Sequence, residues 1–301
     1  MRVLVTGGTG FIGRAVVARL RSRGDQIVLI SRSAPGALPW NEVTKEVARA
    51  DGIVHLAGEP IATRRWTPER LAEIRDSRVA TTERIARAVA LARNKPRVVV
   101  SASAVGIYGT GPRDEPIAEN APAADDALAT LCADWEAATR SIRDAGVRVV
   151  LARFGIVLGA DGGALPQMLT PFKLFVGGPI GDGRQVMSWI HLEDAARATA
   201  FVIDRDDLSG PVNFVAPAPV TMNEFAGTLG DVLGRPSSLR VPAALLRVAL
   251  GRERAEMILT GQRVTPEKLL RAGFSFDFPE LRRALAAAVA RQPVRETNPL
   301  P

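Results

Sequence analysis

Short runs of aliphatic and β-branched residues alternate with longer amphipathic stretches along the first half of the chain. Arg2-Val3-Leu4-Val5 reads as a strand covered on both faces, and Phe11 to Arg23 places apolar residues at helical spacing. The strand pattern returns at Gln26 to Ser31 (QIVLIS), Gly52 to Ala57 (GIVHLA), Arg97 to Ala102 (RVVVSA) and Val147 to Phe154. Between these runs, helical spacing covers Pro68 to Arg93, with Leu71, Ile74, Val79, Ile85 and Val89. It covers Ala127 to Asp144 as well, with Leu128, Leu131, Trp135 and Ile142. Strands alternating with helices predict an α/β fold, a doubly wound parallel sheet with right-handed crossovers.

The pattern changes after Gly155. Gly159 to Gly183 is rich in glycine and proline and predicts an irregular excursion on the substrate side, before Ser188 to His191, a helix from Glu193 to Asp204, and Val212 to Val215 return to the sheet. From Thr221 short helices dominate, and Thr221-Met222-Asn223-Glu224 offers a capping box. The expected organisation is a nucleotide domain over 1–157 plus about 186–216. A smaller, mainly helical substrate-side and C-terminal domain takes 158–185 plus 217–292, and 293–301 forms a flexible tail.

Chemistry first enters at Met1 to Gly13, MRVLVTGGTGFIG, where strand, glycine turn and helix start follow one another. The spacing fits G-x-G-x-x-G from Gly8 and the T-G-x-x-G-x-x-G variant from Gly7, the fingerprint of a Rossmann-type dinucleotide fold. Gly7 or Gly8 takes backbone angles closed to other residues, Gly10 lets a pyrophosphate approach, and Gly13 lets the helix lie close to the strand. The helix start at Phe11 and Ile12 supplies free N–H groups and a partial positive charge for phosphate, so Thr6, Gly7, Gly8, Thr9, Gly10, Phe11, Ile12 and Gly13 form the expected cradle. At the end of the second strand, Ser31-Arg32-Ser33 stands where an acid would select NAD. Ser31 and Arg32 suit a 2′-phosphate and favour NADP(H). Leu56-Ala57-Gly58 forms a small apolar wall beside the cofactor, while His55 reads as a packed core histidine rather than a base.

Composition narrows the class. The 301 residues are 47% hydrophobic and 24% charged, as in an ordinary globular protein. No apolar run reaches the roughly 18 residues needed to span a bilayer, and the chain opens directly on a strand, so no targeting segment is expected. A single cysteine, Cys132, excludes an internal disulfide and argues against a metal site; a cytoplasmic setting follows. The net charge of +7 is spread over helices with acids interspersed, which predicts a solvated surface and neither a nucleic-acid nor a membrane partner.

Five longer motifs carry a resemblance: SASAVGIYG at Ser101 to Gly109, DWEAAT at Asp134 to Thr139, RFGIVLGADGGAL at Arg153 to Leu165, GGPIGDGRQVMSWIHLEDAARA at Gly177 to Ala198, and GQRVTPEKLLRAGF at Gly261 to Phe274. With the glycine turn and the strand end His55 to Gly58, they make the chain resemble the extended short-chain dehydrogenase/reductase superfamily. The likeness is to its epimerase-like subgroup, sometimes labelled cell-division-inhibitor-like, whose C-terminal domain has no known function. The resemblance implies a Rossmann cofactor domain, a preference for NADP, further cofactor contacts from Glu73 and Arg78, and a possible homodimer. Arg78 reads either as a second cation for phosphate or as a helix arginine paired with Glu73 or another acid.

The catalytic pattern of that superfamily is incomplete here. Its members use a tyrosine four residues before a lysine on one helix, and this chain has a single tyrosine, Tyr108, followed four positions later by Pro112. Matching Glu136 to the superfamily's conserved glutamate puts Leu128 and Cys132 at the tyrosine and lysine; matching it to the lysine puts Cys132 at the tyrosine. Either register loses the couple. Ser103, at the superfamily's serine position, and Tyr108 are the catalytic candidates, while Arg153, Gln185, Trp189 and His191 are candidates for substrate contact. Asp194 reads as a helix-start residue and Glu136 as a partner for an arginine. The expected function is an NADP(H)-dependent oxidoreductase or epimerase-like enzyme acting on a small carbonyl, hydroxyl or nucleotide-sugar-like compound. The alternative is an NADP(H)-binding regulator without catalysis.

Overall fold

The computed structural model describes residues 1–60, 67–110 and 113–290; the tail assigned to 293–301 lies outside them. The first half runs β1 (Arg2–Thr6), α1 (Phe11–Ser22), β2 (Gln26–Ile30), α2 (Val43–Val47), β3 (Gly52–His55), α3 (Pro68–Leu91), β4 (Val98–Ala104), β5 (Arg113–Ile117), α4 (Ala127–Ala137), α5 (Arg140–Asp144) and β6 (Arg148–Phe154). The second half runs β7 (Ile156–Leu158), α6 (Leu165–Lys173), β8 (Val186–Met187), β9 (Trp189–His191), α7 (Leu192–Asp204), β10 (Gly210–Phe214), β11 (Val220–Thr221) and α8 (Met222–Leu233). It ends with α9 (Ala243–Leu250), α10 (Arg252–Leu259), β12 (Gln262–Val264), α11 (Glu267–Arg271) and α12 (Leu281–Val289).

Six strands form the central sheet in the order β10-β6-β4-β3-β1-β2, and every neighbouring pair is parallel. The chain leaves β1 toward β2 on one side and returns to β3 on the other. The mouth between β1 and β3 is therefore the switch point at which open α/β sheets bind their ligands. Alternate side chains explain the two cores. Val3, Val5, Val54, Val98 and Val100 face α1 and α7, whereas Leu4, Ile53 and Val99 face α2, α3 and α5. A third core joins α6, α8 and α12 through Leu169, Phe172, Phe225, Leu229 and Leu285.

Helix ends follow local chemistry. Thr67 caps α3 by accepting the amide of Arg70, with Pro68 in the first turn, and the capping box at Thr221 and Glu224 starts α8. The stretch read as one helix from Ala127 to Asp144 is broken into α4 and α5. The buried Thr139 turns its hydroxyl back onto the Glu136 carbonyl at 2.7 Å at the break. The glycine-rich excursion over 159–183 contains α6, and three pairings escape the periodicity: β5 with β12, β7 with β9, and β8 with β11.

Candidate functional site

The turn after β1 is built by its glycines. Gly7 adopts φ +70°, and a Cβ there would lie 2.6 Å from the carbonyl carbon of Leu56. A Cβ on Gly13 would collide with the Gly7 carbonyl oxygen, so only glycine lets α1 begin this close to the turn. Gly10 is exposed at the start of α1, with no side-chain cap on that end. Thr9 is exposed beside it, Phe11 and Ile12 are half-buried, and the helix amides are left for a ligand. An open cradle of this shape fits a pyrophosphate. Thr6 turns its hydroxyl inward to His55 Nδ1 at 2.6 Å, and His55 Nε2 meets the Thr82 hydroxyl at 3.0 Å. Burial holds His55 down at about 4, so it sits neutral in the core.

Around the cradle, Ser31 Oγ accepts the amides of Ser33 (3.4 Å) and Ala34 (3.2 Å), shaping the loop after β2. Arg32 reaches into solvent and donates to Glu59 Oε1 at 2.8 Å. Leu56 and Ala57 are half-buried beside the mouth. Arg78 does not pair with Glu73, which is held by Arg70 at 2.8 Å. Its guanidinium lies against Gly58, stacks 5.1 Å from the Trp135 ring centroid and donates to the Ile74 carbonyl at 3.1 Å. Among the described residues it has no carboxylate within ion-pair distance, and burial lowers its pKa.

Across the mouth, Ser103 and Arg153 are paired in the β4–β6 ladder and both reach α4. Ser103 is 2% exposed and donates to Glu136 Oε1 at 2.6 Å. Arg153 grips the same carboxylate with Nε on Oε1 and Nη2 on Oε2, both at 2.8 Å. Burial works against the Arg153 charge, but the Glu136 bonds outweigh it and raise its pKa. Arg153 Nη1 also donates to the Tyr108 hydroxyl at 2.8 Å, and that hydroxyl donates to Asn213 Oδ1 at 2.8 Å. Asn213 continues to the Thr265 carbonyl at 2.9 Å, while Glu119 Oε1 collects the amides of Asn213 and Lys268. Tyr108 is 1% exposed, and burial raises its pKa.

On α4 the Glu136 that bonds both Ser103 and Arg153 has Cys132 one turn before it and Leu128 two turns before it. Leu128 closes against Gly106, and Cys132 is buried with its thiol pushed up to about 12 by burial. Trp189 is fully buried with its indole on the Ala218 carbonyl at 3.0 Å. Gln185 donates to the carbonyls of Ile180 and Ile258. His191 caps α7 through Nδ1 and stacks 3.9 Å from Phe278; burial lowers its pKa. Asp194 accepts the amides of Asp277 and Phe278 and pairs with Arg197.

Glu119 and Asn213 escape a reading of the sequence. Asn213 does leave a trace, a lone polar residue inside the apolar run Val212 to Val215, whereas Glu119 lies in a loop with no pattern around it. No group of three metal-ligating side chains occurs among the described residues, and no described helix is long and apolar enough to cross a membrane.

Comparison with known proteins places these features in context. Residues 3–215 match the NAD dependent epimerase/dehydratase family, and residues 241–288 match a domain of unknown function, DUF1731. The bovine (Bos taurus) epimerase family protein SDR39U1 is 43% identical over 296 residues, covering 96% of this chain and all of the bovine protein. The crystal structure of human SDR39U1 (isoform 2) with NADPH superposes with a TM-score of 0.89 at 39% identity, covering 96% of this chain and 99% of the human one. A nucleoside-diphosphate sugar epimerase from Corynebacterium glutamicum superposes with a TM-score of 0.78 at 33% identity, covering 96% of this chain and 58% of that one.

Proposed function

Because the chain belongs to the NAD dependent epimerase/dehydratase family, we propose that it binds NADP(H) at the β1–α1 turn. In this reading it acts as an oxidoreductase or epimerase-like enzyme on a small hydroxyl or carbonyl compound, nucleotide-sugar-like in character. The carrying observation is the glycine cradle with Arg32 at its adenosine end, supported by the human relative crystallised with NADPH. Thr6 to Gly13 hold the pyrophosphate, Ser31 and Arg32 the 2′-phosphate, and Leu56, Ala57 and Gly58 the wall. Glu73 and Arg78 complete the cofactor side. Arg78 lies by Gly58 on the β3 and α4 side of the mouth, away from β2.

When bound, NADP(H) supplies hydride-transfer chemistry. The protein's part falls to Ser103. Its proton is engaged by Glu136, which leaves the Oγ lone pairs to accept a hydrogen bond from a substrate hydroxyl. Arg153 keeps Glu136 oriented, and Tyr108 positions Arg153. Gln185, Trp189 and His191 shape the substrate side through the backbone they hold. The division at 157, 186 and 216 then separates cofactor from substrate elements. A reducing cytosol suits the one buried free thiol, and a homodimer is the assembly the family resemblance implies.

A second reading is an NADP(H)-binding regulator. It is favoured by the loss of the tyrosine–lysine couple in either register of α4, and by the double engagement of the Tyr108 hydroxyl. Incubating the protein and Ser103→Ala with NADPH, NADP⁺ and a panel of carbonyl and hydroxyl compounds decides between them. Turnover that Ser103→Ala abolishes while cofactor affinity is retained supports the enzyme. Tight cofactor binding with no turnover on any compound supports the regulator.

A further inference from the structure

Arg32 follows β2 and Glu59 follows β3, and in the sheet these strands flank β1. A contact between the two residues therefore passes over the glycine turn that leaves β1. Arg32 Nη2 donates to Glu59 Oε1 at 2.8 Å, although the Arg32 side chain is 78% exposed. Glu59 is anchored at its base, since its amide donates to Ser77 Oγ on α3 at 3.1 Å. Its carboxylate also stands 3.9 Å from Arg70 Nη2. A carboxylate gathered by arginines at the rim of a nucleotide groove offers guanidinium the same chemistry as a phosphate, an anion with several acceptor oxygens.

We propose that Glu59 is an internal competitor for the 2′-phosphate of NADP(H), holding the guanidinium that the phosphate must take and so setting the affinity for the phosphorylated cofactor. The inference rests on the assignment of Arg32 to the 2′-phosphate. A phosphate monoester carries a charge of about −1.5 to −2 near neutral pH. Brought to Arg32, it either displaces the Glu59 carboxylate or stands beside it, and both alternatives oppose binding. NADH presents a neutral hydroxyl at the same place and leaves the ion pair undisturbed. Glu59 therefore bears on NADPH selectively, without touching the reacting end of the cofactor.

Direct titration with NADPH, NADH and adenosine 2′,5′-bisphosphate tests this. Glu59→Gln is expected to tighten NADPH and the bisphosphate by about three- to tenfold, an effect that shrinks as salt is raised, while NADH changes by less than about twofold. Glu59→Asp, which retracts the carboxylate by one methylene, should fall between. In an Arg32→Ala background the gain from Glu59→Gln should vanish. Equal tightening of NADH and NADPH, or weaker NADPH binding in Glu59→Gln, overturns the proposal. Should Arg32→Ala alone leave NADPH affinity unchanged, the premise is lost and the proposal with it. A protein that binds neither cofactor in any form instead marks the failure of the cofactor reading itself.

Discussion

The Tyr108 hydroxyl donates to Asn213 Oδ1 at 2.8 Å across 105 residues of sequence, while accepting from Arg153 at the same distance. Both directions of the hydroxyl are thus occupied inside the protein. Tyr108→Phe removes the link and leaves the Asn213 oxygen buried without its donor, a loss of about 1 to 3 kcal/mol of stability. Chemical denaturation should report that loss, and NADPH affinity should stay within about twofold of wild type. A much larger drop in affinity would mean that the hydroxyl reaches the cofactor.

Glu136 and Arg153 form a bidentate pair whose side chains are 11% and 7% exposed. Removing one partner strands the other, so Glu136→Ala should destabilise the protein by about 3 kcal/mol or more. Replacing both by apolar residues of similar size should cost less than that single change. Melting curves of the two variants check the ordering.

Arg32→Ala should weaken NADPH far more than NADH. A charge-assisted hydrogen bond contributes about 1.5 to 3 kcal/mol, roughly ten- to a hundredfold in affinity. Equal losses for the two cofactors in a fluorescence titration would remove the 2′-phosphate from Arg32.

Gly10 and Gly13 should respond differently to one added methyl group. At Gly13 the new Cβ meets the Gly7 carbonyl inside the turn, so Gly13→Ala should lower stability and abolish cofactor binding together. At Gly10 the nearest atom is 3.2 Å away and the position is exposed, so Gly10→Ala should keep its melting temperature within a few degrees while losing NADPH affinity. Calorimetry with and without NADPH separates the two effects.

Acid should unfold the protein in part through His55. Its folded pKa lies near 4 against an ordinary 6.5, so between these values the unfolded chain binds the proton and the folded protein does not. The contribution is present in full above pH 6.5 and is lost as pH falls through 4, with a span of roughly 3 kcal/mol. In His55→Gln, stability measured between pH 4 and 7 should lose most of this slope.

The individual strands, the glycine turn and the capping box at Thr221 could be read from the chain because each is decided by neighbours within a few residues. The match of Glu136 to an arginine was legible as well, yet which arginine was not, since Arg153 meets it only through the β4–β6 ladder. Ser31 shows the opposite limit. Its residue type suits a phosphate, while its hydroxyl already receives two amides in the loop, a competition that composition does not reveal. The split of Ala127 to Asp144 falls at the buried Thr139, whose hydroxyl bonds back to the Glu136 carbonyl, a feature helical spacing does not register. Glu119, and its link to Asn213 and Lys268, shows only in the fold, which brings the loop after β5 against β10 and α11.

That convergence has an implication for biosynthesis. Glu119 is made early, but the amides and the carbonyl that complete its surroundings belong to Asn213, Thr265 and Lys268. On the ribosome, the contact between Tyr108 and Arg153 needs only residue 153, whereas the Glu119 carboxylate must wait for the Lys268 amide, 149 residues further along.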